Sequence, residues 1–259
     1  QKESLNLNEV FIENFSISDY KNKFGINLSE NIEIIGFTAR NSIFYSDTQN
    51  AFDGIIFKEK PVSFEKSLFI KGEVNFENVI FEEGSVNFNS VIFFNGNVSF
   101  YNTNFVKGIV NFKNTTWGKG VKNFQYAFWG NGDVLFANST FSDGNISFVN
   151  CSFGDGELSF KICAFGKGNI DFRFSVFGNT HLIFERAELN DGLIDFSKTE
   201  FGSAKVNFNK AVLGKAELSF DEAEMSEGKL LLKQIYFEEG SMHFDEAQLS
   251  NSSLNFARS

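Results

Sequence analysis

Over most of the chain, hydrophobic and polar positions follow a pattern that repeats every twelve residues without a slip. One column runs from Phe64 to Phe256 and is phenylalanine at every position except Leu232. A second large apolar column follows five residues later, from Phe69 to Leu249. A fixed repeat of this length indicates a tandem array of small structural units.

Three smaller columns complete the unit G-x-V-x-F-x-x-a-x-F-x-x, where "a" is a small residue. The Val/Ile/Leu column is interrupted by Lys122, and Gly opens most units. Because residues two apart face the same side of a strand, the unit predicts a longer strand, a corner, a shorter strand and a second corner. Asn at the first corner, as at Asn78 and Asn150, and Gly at the second suit a positive φ.

Turns at fixed intervals without long loops predict a β-solenoid, in which each coil hydrogen-bonds to the next about 4.8 Å away. One coil contains either twelve or twenty-four residues. A twelve-residue perimeter of about 40 Å leaves little length for corners around two large aromatic side chains. Twenty-four residues make a four-sided coil with alternating long and short sides. We therefore expect an all-β, parallel, four-sided β-solenoid with about 24 residues per coil and about eight coils.

Segments 127–129, 139–141 and 199–201 place a small residue two positions before a large apolar one. This pattern resembles the pentapeptide-repeat family, in which both residues point inward and four five-residue faces form a quadrilateral β-helix. The resemblance covers residues 62–259 and departs from the family because every second face has seven residues. It implies a right-handed coil. Since the family includes DNA-mimicking inhibitors of topoisomerases, it also makes a DNA-mimic topoisomerase-binding protein an alternative function.

Residues 1–61 lack the twelve-residue register. Alternating apolar residues predict strands within 31–44 and 51–57, and a short helix is expected around residues 18–23. Since solenoids need a cap over the exposed first coil, we assign 1–61 to an N-terminal cap of irregular coils and 62–259 to the β-solenoid of twelve-residue repeats. The chain begins with Gln1 rather than Met, so removal of a preceding segment is expected.

Composition narrows the possible functions. The net charge of −10 argues against direct nucleic-acid binding, which needs basic residues to neutralise phosphates. No apolar run is long enough for a transmembrane segment, and no signal-peptide pattern opens the chain. A composition rich in Asn, Lys, Ile and Phe fits an A/T-rich bacterial genome. These features favour the bacterial cytoplasm over a secreted or cell-surface location without fixing the compartment.

Motifs for chemistry are missing from the sequence. His181 and His243 fall on different coils, and the glycine-rich segments GNGDV and GDGEL are repeat corners. GxSxG, HExxH and CxxC do not occur. We therefore expect no catalytic, cofactor-binding or metal-binding residues.

A 24-residue coil brings acidic residues of successive coils together near the C-terminal end. The candidate acidic interaction patch consists of Asp171, Asp195, Glu200, Asp221, Glu222, Glu224, Asp245 and Glu246. Three explanations are open: a solvated end that prevents aggregation of an open edge, a face that binds a protein partner, or paired carboxylates of a carbohydrate-binding or polysaccharide-active β-helix. The Arg and Lys residues typical of a sugar cleft do not cluster there.

The outward column of the short strands is too irregular for ice binding. The outward Asn and Ser of the long strands are expected to stabilise the rod by hydrogen bonds. We therefore predict a non-enzymatic β-solenoid scaffold or protein-interaction module with polar and acidic faces, whose protein partner the sequence does not name. The chain stops in mid-repeat at residues 254–259 without a cap. This predicts either an end-to-end homodimer or a chain that continues.

Cys151 and Cys163 are twelve residues apart in the small-residue column. Metal binding is not expected, because no His or further Cys joins them. In a twelve-residue coil they would stack about 5 Å apart, within disulfide range. In a 24-residue coil they lie on opposite sides of the core, and we therefore predict two free, buried thiols. Trp117 and Trp129 stand in an inward column and are expected in the core.

Overall fold

The molecule is built from parallel strands, each paired with strands 24 residues before and after it in the sequence. In the computed structural model, which describes residues 4–95 and 97–256, Val86 pairs with Val62 on one side and Val110 on the other. The same spacing continues to the pair of Leu230 and Leu254. The predicted parallel β-solenoid with 24-residue coils is confirmed, and the twelve-residue coil is excluded. Gly96 and the last three residues of the unfinished repeat lie outside the described residues. The handedness stays a prediction.

Four faces surround the core. Face 1 is an 11-stranded sheet of long-side strands. Its strands are Leu5–Asn6, Phe37–Thr38, Val62–Ser63, Val86–Asn87, Val110–Asn111, Val134–Leu135, Glu157–Ser159, His181–Ile183, Lys205–Asn207, Lys229–Leu231 and Ser253–Asn255.

Face 2, a short side, and face 3, a long side, are joined because two strands run through the corner between them, Ile43–Ala51 and Leu68–Asn75. The other strands of face 2 are Phe11–Glu13, Ile92–Asn95, Thr116–Lys119, Thr140–Phe141, Ala164–Lys167, Glu188–Asp191, Val212–Gly214 and Tyr236–Phe237. The other strands of face 3 are Val98–Ser99, Lys122–Asn123, Ile146–Ser147, Ile170–Asp171, Leu193–Asp195, Glu217–Ser219 and Met242–His243.

Face 4 is the second short side and consists of two four-stranded sheets. They are linked by bridges from Phe128 to Asn104 and to Ser152. The strands are Ile32–Ile34, Ile55–Phe57, Ile80–Phe81, Asn104–Phe105, Ser152–Phe153, Val176–Phe177, Glu200–Gly202 and Glu224–Met225.

Each long side ends at a corner residue in the left-handed conformation. Between faces 1 and 2 these residues form the 1–2 corner, and between faces 3 and 4 they form the 3–4 corner. The 1–2 corner contains Lys66, Ser90, Asn114, Asn138, Ile162, Arg186, Lys210 and Gln234. The 3–4 corner contains Asn78, Asn102, Tyr126, Asn150, Phe174, Lys198, Glu222 and Glu246.

Aromatic side chains fill the interior in continuous stacks. Phe136 stacks between Phe112 at 4.8 Å and Phe160 at 4.9 Å between ring centroids, with planes within 7°. Burying one such ring contributes about 1.5–3 kcal/mol. Trp117 and Trp129 are buried in the same inward columns, so their predicted place in the core is confirmed.

Cys151 and Cys163 are free and buried at opposite sides of the core, as predicted. The Cys151 Sγ donates to the carbonyl oxygen of Phe124 at 2.9 Å, and the Cys163 Sγ to that of Phe136 at 3.0 Å. Burial raises the pKa of both thiols to about 12. Both sulfurs therefore act as small core groups.

The first described coil is longer than the others. Leu5 pairs with Phe37, and Phe37 pairs with Val62. The longer interval accommodates helix Ile17–Phe24, whose N-terminus is capped by the Ser16 hydroxyl. The predicted short helix is confirmed, whereas the boundary at residue 61 and the capping role stay predictions. The described segments contain no helix with the length and apolar character that a membrane crossing requires.

Candidate interaction surface at the 3–4 corner

The acidic patch lies on the 3–4 corner and the two faces that meet there. Asp171 pairs in register with Asp195 on face 3, and Glu200 with Glu224 on face 4. At the corner, the backbone N–H of Asp245 donates to Asp221 Oδ1 at 2.8 Å. The stacking of successive coils expected from the 24-residue period is therefore present. Whether the patch serves a function stays a prediction.

Two basic side chains also lie in the patch. Arg173 contacts Asp171 at 2.7 Å and Asp195 at 3.5 Å, and Lys198 lies 3.4 Å from Glu222. The hydrogen bond and the charge of Asp171 hold the pKa of Arg173 above its usual value. These two separate cations do not form the Arg and Lys cluster of a sugar cleft. Lys198 and Glu222 are neighbours only because the chain closes into coils of 24 residues.

The remaining carboxylates keep the surface acidic. In the described part of the chain, Glu200, Glu224, Asp245 and Glu246 form no ion pair with a basic side chain and are exposed. Among the described residues, no group of three His, Cys, Asp or Glu side chains is placed to hold a metal ion. The patch therefore presents uncompensated negative charge on an outward edge.

A patch of exposed apolar side chains lies beside the acidic patch, towards the N-terminus. Between 36% and 50% of each side chain is exposed. This aromatic patch consists of Tyr101, Tyr126, Phe128, Phe174 and Val176. The rings of Tyr101 and Tyr126 contact each other at 5.4 Å in a T-shaped arrangement. Along face 4, the outward column passes from Phe128 through Ser152 and Val176 to Glu200, so the two patches form one surface.

Two of these aromatic residues occupy an unfavourable backbone conformation. Tyr126 has a φ of 59° and Phe174 a φ of 60°, where most coils of this corner have Asn or a charged residue. Asn tolerates this left-handed region, whereas a bulky residue there is an outlier that costs about 1–2 kcal/mol. An exposed aromatic ring gains no core burial to offset that cost. Ile162 at the 1–2 corner shares this exposed, left-handed conformation, so Tyr126 and Phe174 are distinguished by their position beside the acidic patch.

Sequence analysis missed this aromatic patch. Phe128 and Val176 fall in the outward column of the short strands, and Tyr126 and Phe174 precede the small-residue column by one position. The available indication was the corner column itself, because two aromatic residues replace Asn at positions that need a positive φ. These aromatic residues become neighbours of the acidic residues only when the chain winds with 24 residues per coil.

Lys122 is the buried titratable amine of the solenoid. It occupies a position of face 3 that is apolar in neighbouring coils and is only 1% exposed. Its Nζ donates to the carbonyl oxygens of Ser142 at 3.1 Å and Asp143 at 3.4 Å. Burial lowers its pKa to about 8. The Lys122 side chain therefore links its own coil to the following coil by hydrogen bonds, and its burial leaves it inaccessible to a ligand.

No family model matches the chain, and no curated protein matches it either. Among solved structures, the chain is similar to HetL, a pentapeptide repeat protein involved in heterocyst differentiation regulation from the cyanobacterium Nostoc sp. strain PCC 7120. The identity is 10%, with 96% of this chain and 88% of that chain covered and a TM-score of 0.29.

A second similar structure is full-length QnrB1, a plasmid-mediated fluoroquinolone resistance protein. The identity is 11%, with 96% of this chain and 93% of that chain covered and a TM-score of 0.26. Values this low assign neither a family nor a function. The assignment of this chain as a four-sided parallel β-solenoid therefore rests on its own strand register.

Proposed function

We propose that the protein is a non-enzymatic interaction module, a rigid rod that binds a basic protein partner through the 3–4 corner. The observation that carries the proposal is the placement of Tyr126 and Phe174 in a strained, exposed conformation beside uncompensated carboxylates. Aromatic side chains are the usual energetic centres of protein interfaces. Surrounding charge selects the partner and accelerates association.

The two patches suit different parts of one interface. The aromatic patch provides apolar area, and two of its residues are held by a rigid corner backbone, so little ordering is needed on binding. The acidic patch beside it favours Lys and Arg on the partner. A partner surface with exposed apolar side chains flanked by basic residues is therefore complementary to this corner.

A displayed library of random twenty-residue peptides tests the proposal. We expect the selected peptides to be rich in Lys, Arg and apolar residues. Their affinity should fall by more than about tenfold for a protein carrying F128N and F174N, because interface centres of this size contribute that much. Binding should also weaken when salt is raised, because screening reduces the acidic contribution.

The matched control is Ile162→Asn at the 1–2 corner. Ile162 is also exposed and left-handed, but it lies outside both patches. We expect I162N to leave affinity unchanged. Selected peptides that bind the F128N/F174N protein as tightly as the native one, or that carry acidic rather than basic residues, would contradict the proposal.

A non-enzymatic role can be tested directly at the acidic patch. We expect native protein to show no turnover of polysaccharide or phosphoester substrates. Activity that is present and then disappears when Asp221, Glu222, Glu224, Asp245 and Glu246 are replaced by their amides would establish catalysis instead.

The repeated carboxylates of the corner also favour a second candidate, mimicry of a nucleic-acid backbone towards a topoisomerase. The pairing of Arg173 and Lys198 with three of the eight patch carboxylates reduces the charge available for this role. A DNA-supercoiling assay separates the candidates. Inhibition at micromolar protein that is lost in the acidic-patch variant would support mimicry. Absence of inhibition at that concentration would rule mimicry out.

The last described coil supports an end-to-end homodimer as a further part of the proposal. Leu254 and Phe256 stand in inward columns that are buried earlier in the rod, yet they are 42% and 51% exposed. Either a second copy of the coil or a continuation of the chain would cover them. Sedimentation should show a dimer that Phe256→Glu dissociates, whereas a monomer at all concentrations would rule the dimer out.

A further inference from the structure

A large cavity lies at the opposite end of the rod from the acidic patch. Its volume is about 860 Å³, and it opens beneath the first described coil between helix Ile17–Phe24 and strand Ile32–Ile34. Phe15, Ile17, Ile32 and Ile34 form apolar walls, and acidic side chains form the rim. A concave apolar site of this size, with a few polar groups, is suited to binding.

The strand beside the cavity has an open hydrogen-bonding edge. In face 4, Ile32–Ile34 is the terminal strand and pairs only with Ile55–Phe57 within the described residues. The Ile32 N–H donates to the carbonyl oxygen of Gly54 at 3.1 Å, and the Ile34 carbonyl accepts from Lys58 at 2.9 Å. Because neighbouring residues of a strand direct these groups to opposite sides, the N–H and C=O of Glu33 point to the open edge.

Side-chain alternation at this edge defines the sequence that would pair with it. Ile32 and Ile34 are partly buried and line the cavity, whereas Glu33 is exposed. An added parallel strand would place its own side chains in the same two directions. Residues stacked on Ile32 and Ile34 would enter the cavity, and the residue stacked on Glu33 would lie outside.

The charge at the rim selects a basic occupant. Four glutamates line the cavity, Glu33, Glu59, Glu82 and Glu83, against the single cation Lys58. Lys58 is already shared between Glu33 at 3.2 Å and Glu82 at 2.9 Å, and Glu83 pairs at 2.6 Å with Lys107, which lies outside the lining. The rim therefore retains an excess of negative charge that a Lys or Arg of the occupant would neutralise.

We propose that this end of the rod binds an extended peptide segment of a partner protein, in which apolar residues alternate with Lys or Arg. The segment adds a parallel strand to Ile32–Ile34, uses the N–H and C=O of Glu33, which bond to no other described residue, and inserts its apolar side chains into the cavity. This is strand addition, in which backbone hydrogen bonds provide affinity and pockets provide specificity. The site is separate from the 3–4 corner and does not depend on its function.

The probe is a fluorescein-labelled synthetic peptide, Gly-Lys-Val-Lys-Ile-Lys-Gly, and the readout is fluorescence anisotropy with the full chain. Two peptide controls have the same composition. One groups the lysines and the apolar residues into blocks, and the other carries an N-methyl group on the isoleucine after the central lysine. That methyl group removes the N–H that would bond to the Glu33 carbonyl. We expect each control to bind at least about tenfold more weakly, because the strand loses register or a backbone bond.

Glu33→Pro and Glu33→Gln separate the backbone contribution from the charge. Proline removes the outward N–H, which no coil between residues 4 and 256 uses, and proline is tolerated in edge strands. We expect E33P to lower affinity at least about tenfold and E33Q by about two- to fivefold. Ile162→Asn at the 1–2 corner, outside both proposed binding surfaces, should leave affinity unchanged. Thermal unfolding of each variant verifies that the fold is retained.

The results separate this proposal from other occupants of the cavity. Equal affinity of the native and N-methylated peptides, or of native protein and E33P, would overturn strand addition. Strand addition would also be overturned if a small apolar amine such as decylamine binds in the cavity but the alternating peptide does not bind. If F174N abolishes peptide binding, the peptide binds the corner and the assignment to the N-terminal end is wrong.

Discussion

The 1–2 corner and the 3–4 corner have the same backbone but different side chains. In each, one residue per coil adopts a φ of about 50–60°, and in most coils a small buried residue follows it. The 1–2 corner has mostly Asn, Ser and basic residues, whereas the 3–4 corner progresses from Asn through Tyr126 and Phe174 to acidic residues. The fold imposes the same requirement at both places, so the difference is not needed for folding.

This difference separates positions that the backbone requires from positions at which we propose a contact with a partner. In a repeat protein, equivalent positions of other coils show what the backbone alone requires. Where Asn and Lys satisfy a left-handed corner repeatedly, an exposed bulky residue is a departure; Ile162 is a single one at the 1–2 corner, whereas Tyr126 and Phe174 lie in a larger exposed patch at the 3–4 corner. The same reasoning applies to Lys122 on face 3, because its equivalents in adjacent coils are Val98 and Ile146.

The largest expected effect on stability comes from truncating core rings on the two long sides of the coil, Phe148 before the 3–4 corner and Phe160 before the 1–2 corner. It tests whether both sides pack into one core. Phe148 stacks between Phe124 at 4.7 Å and Phe172 at 4.8 Å, and Phe160 stacks between Phe136 and Phe184 at 4.9 Å each. Truncating either ring to Ala leaves a cavity. We expect F148A and F160A each to lower the free energy of unfolding by about 3–5 kcal/mol in urea titrations.

The matched control for these truncations is Phe160→Leu, since Leu232 occupies the same column. It should cost clearly less than F160A, because most of the volume is retained. If F148A and F160A differ by more than about 1.5 kcal/mol, the two sides of the coil are not equivalent and the comparison of the corners loses its basis.

Replacement of Lys122 is expected to give the next largest change in the free energy of unfolding. Burial places its pKa at about 8 in the folded protein, below the value of 10.5 for a free lysine. The unfolded chain therefore binds more protons than the folded one between about pH 8 and 10.5, and stability rises with pH in that window. We expect Lys122→Val to raise the free energy of unfolding by about 2 kcal/mol at pH 7, and the gain to shrink towards pH 10.5.

The control for this substitution is the exposed Lys229→Val on face 1, which should change neither stability nor its pH dependence. The carbonyls of Ser142 and Asp143 lose a donor in K122V, which limits the gain. A K122V protein that is less stable than the native one at pH 7 would show that these hydrogen bonds outweigh the cost of burying the charge.

Corner substitutions are expected to have a smaller effect on stability. Phe174→Asn and Ile162→Asn both replace a bulky left-handed residue by one that tolerates this conformation. We expect each to raise the free energy of unfolding by about 1 kcal/mol, because the backbone strain is relieved. Equilibrium urea unfolding measures both. A loss of stability in F174N alone would show that its contact with Lys198, at 5.9 Å, is structural.

The sequence predicted the fold more completely than the surface. The columns beginning at Phe64 and Phe69 identified the inward residues, because a solenoid repeats the same burial in every coil. The partners of the acidic residues were not predicted, since Lys198 reaches Glu222 across coils and the contact of Arg173 with Asp171 depends on a side-chain conformation. The N-terminal cavity was missed as well, because residues 1–61 lack the repeat that makes burial predictable.

The smallest expected effect concerns the two cysteines, which occupy equivalent positions after the two corners. The Ser139 hydroxyl in the same column donates to the Phe112 carbonyl at 2.8 Å, as the Cys163 Sγ donates to the Phe136 carbonyl at 3.0 Å. A serine therefore fits the site, and we expect Cys151→Ser and Cys163→Ser each to change stability by less than about 1 kcal/mol.

Thiol titration with an aromatic disulfide reagent completes this test. Both thiols are buried with a raised pKa of about 12, so the native protein should react slowly at pH 8. The unfolded, unreduced protein should react at two thiols. Rapid reaction of Cys151 alone in the native state would mean that the 3–4 side opens more readily than the 1–2 side. The 3–4 corner would then differ from the 1–2 corner in dynamics as well as in its side chains.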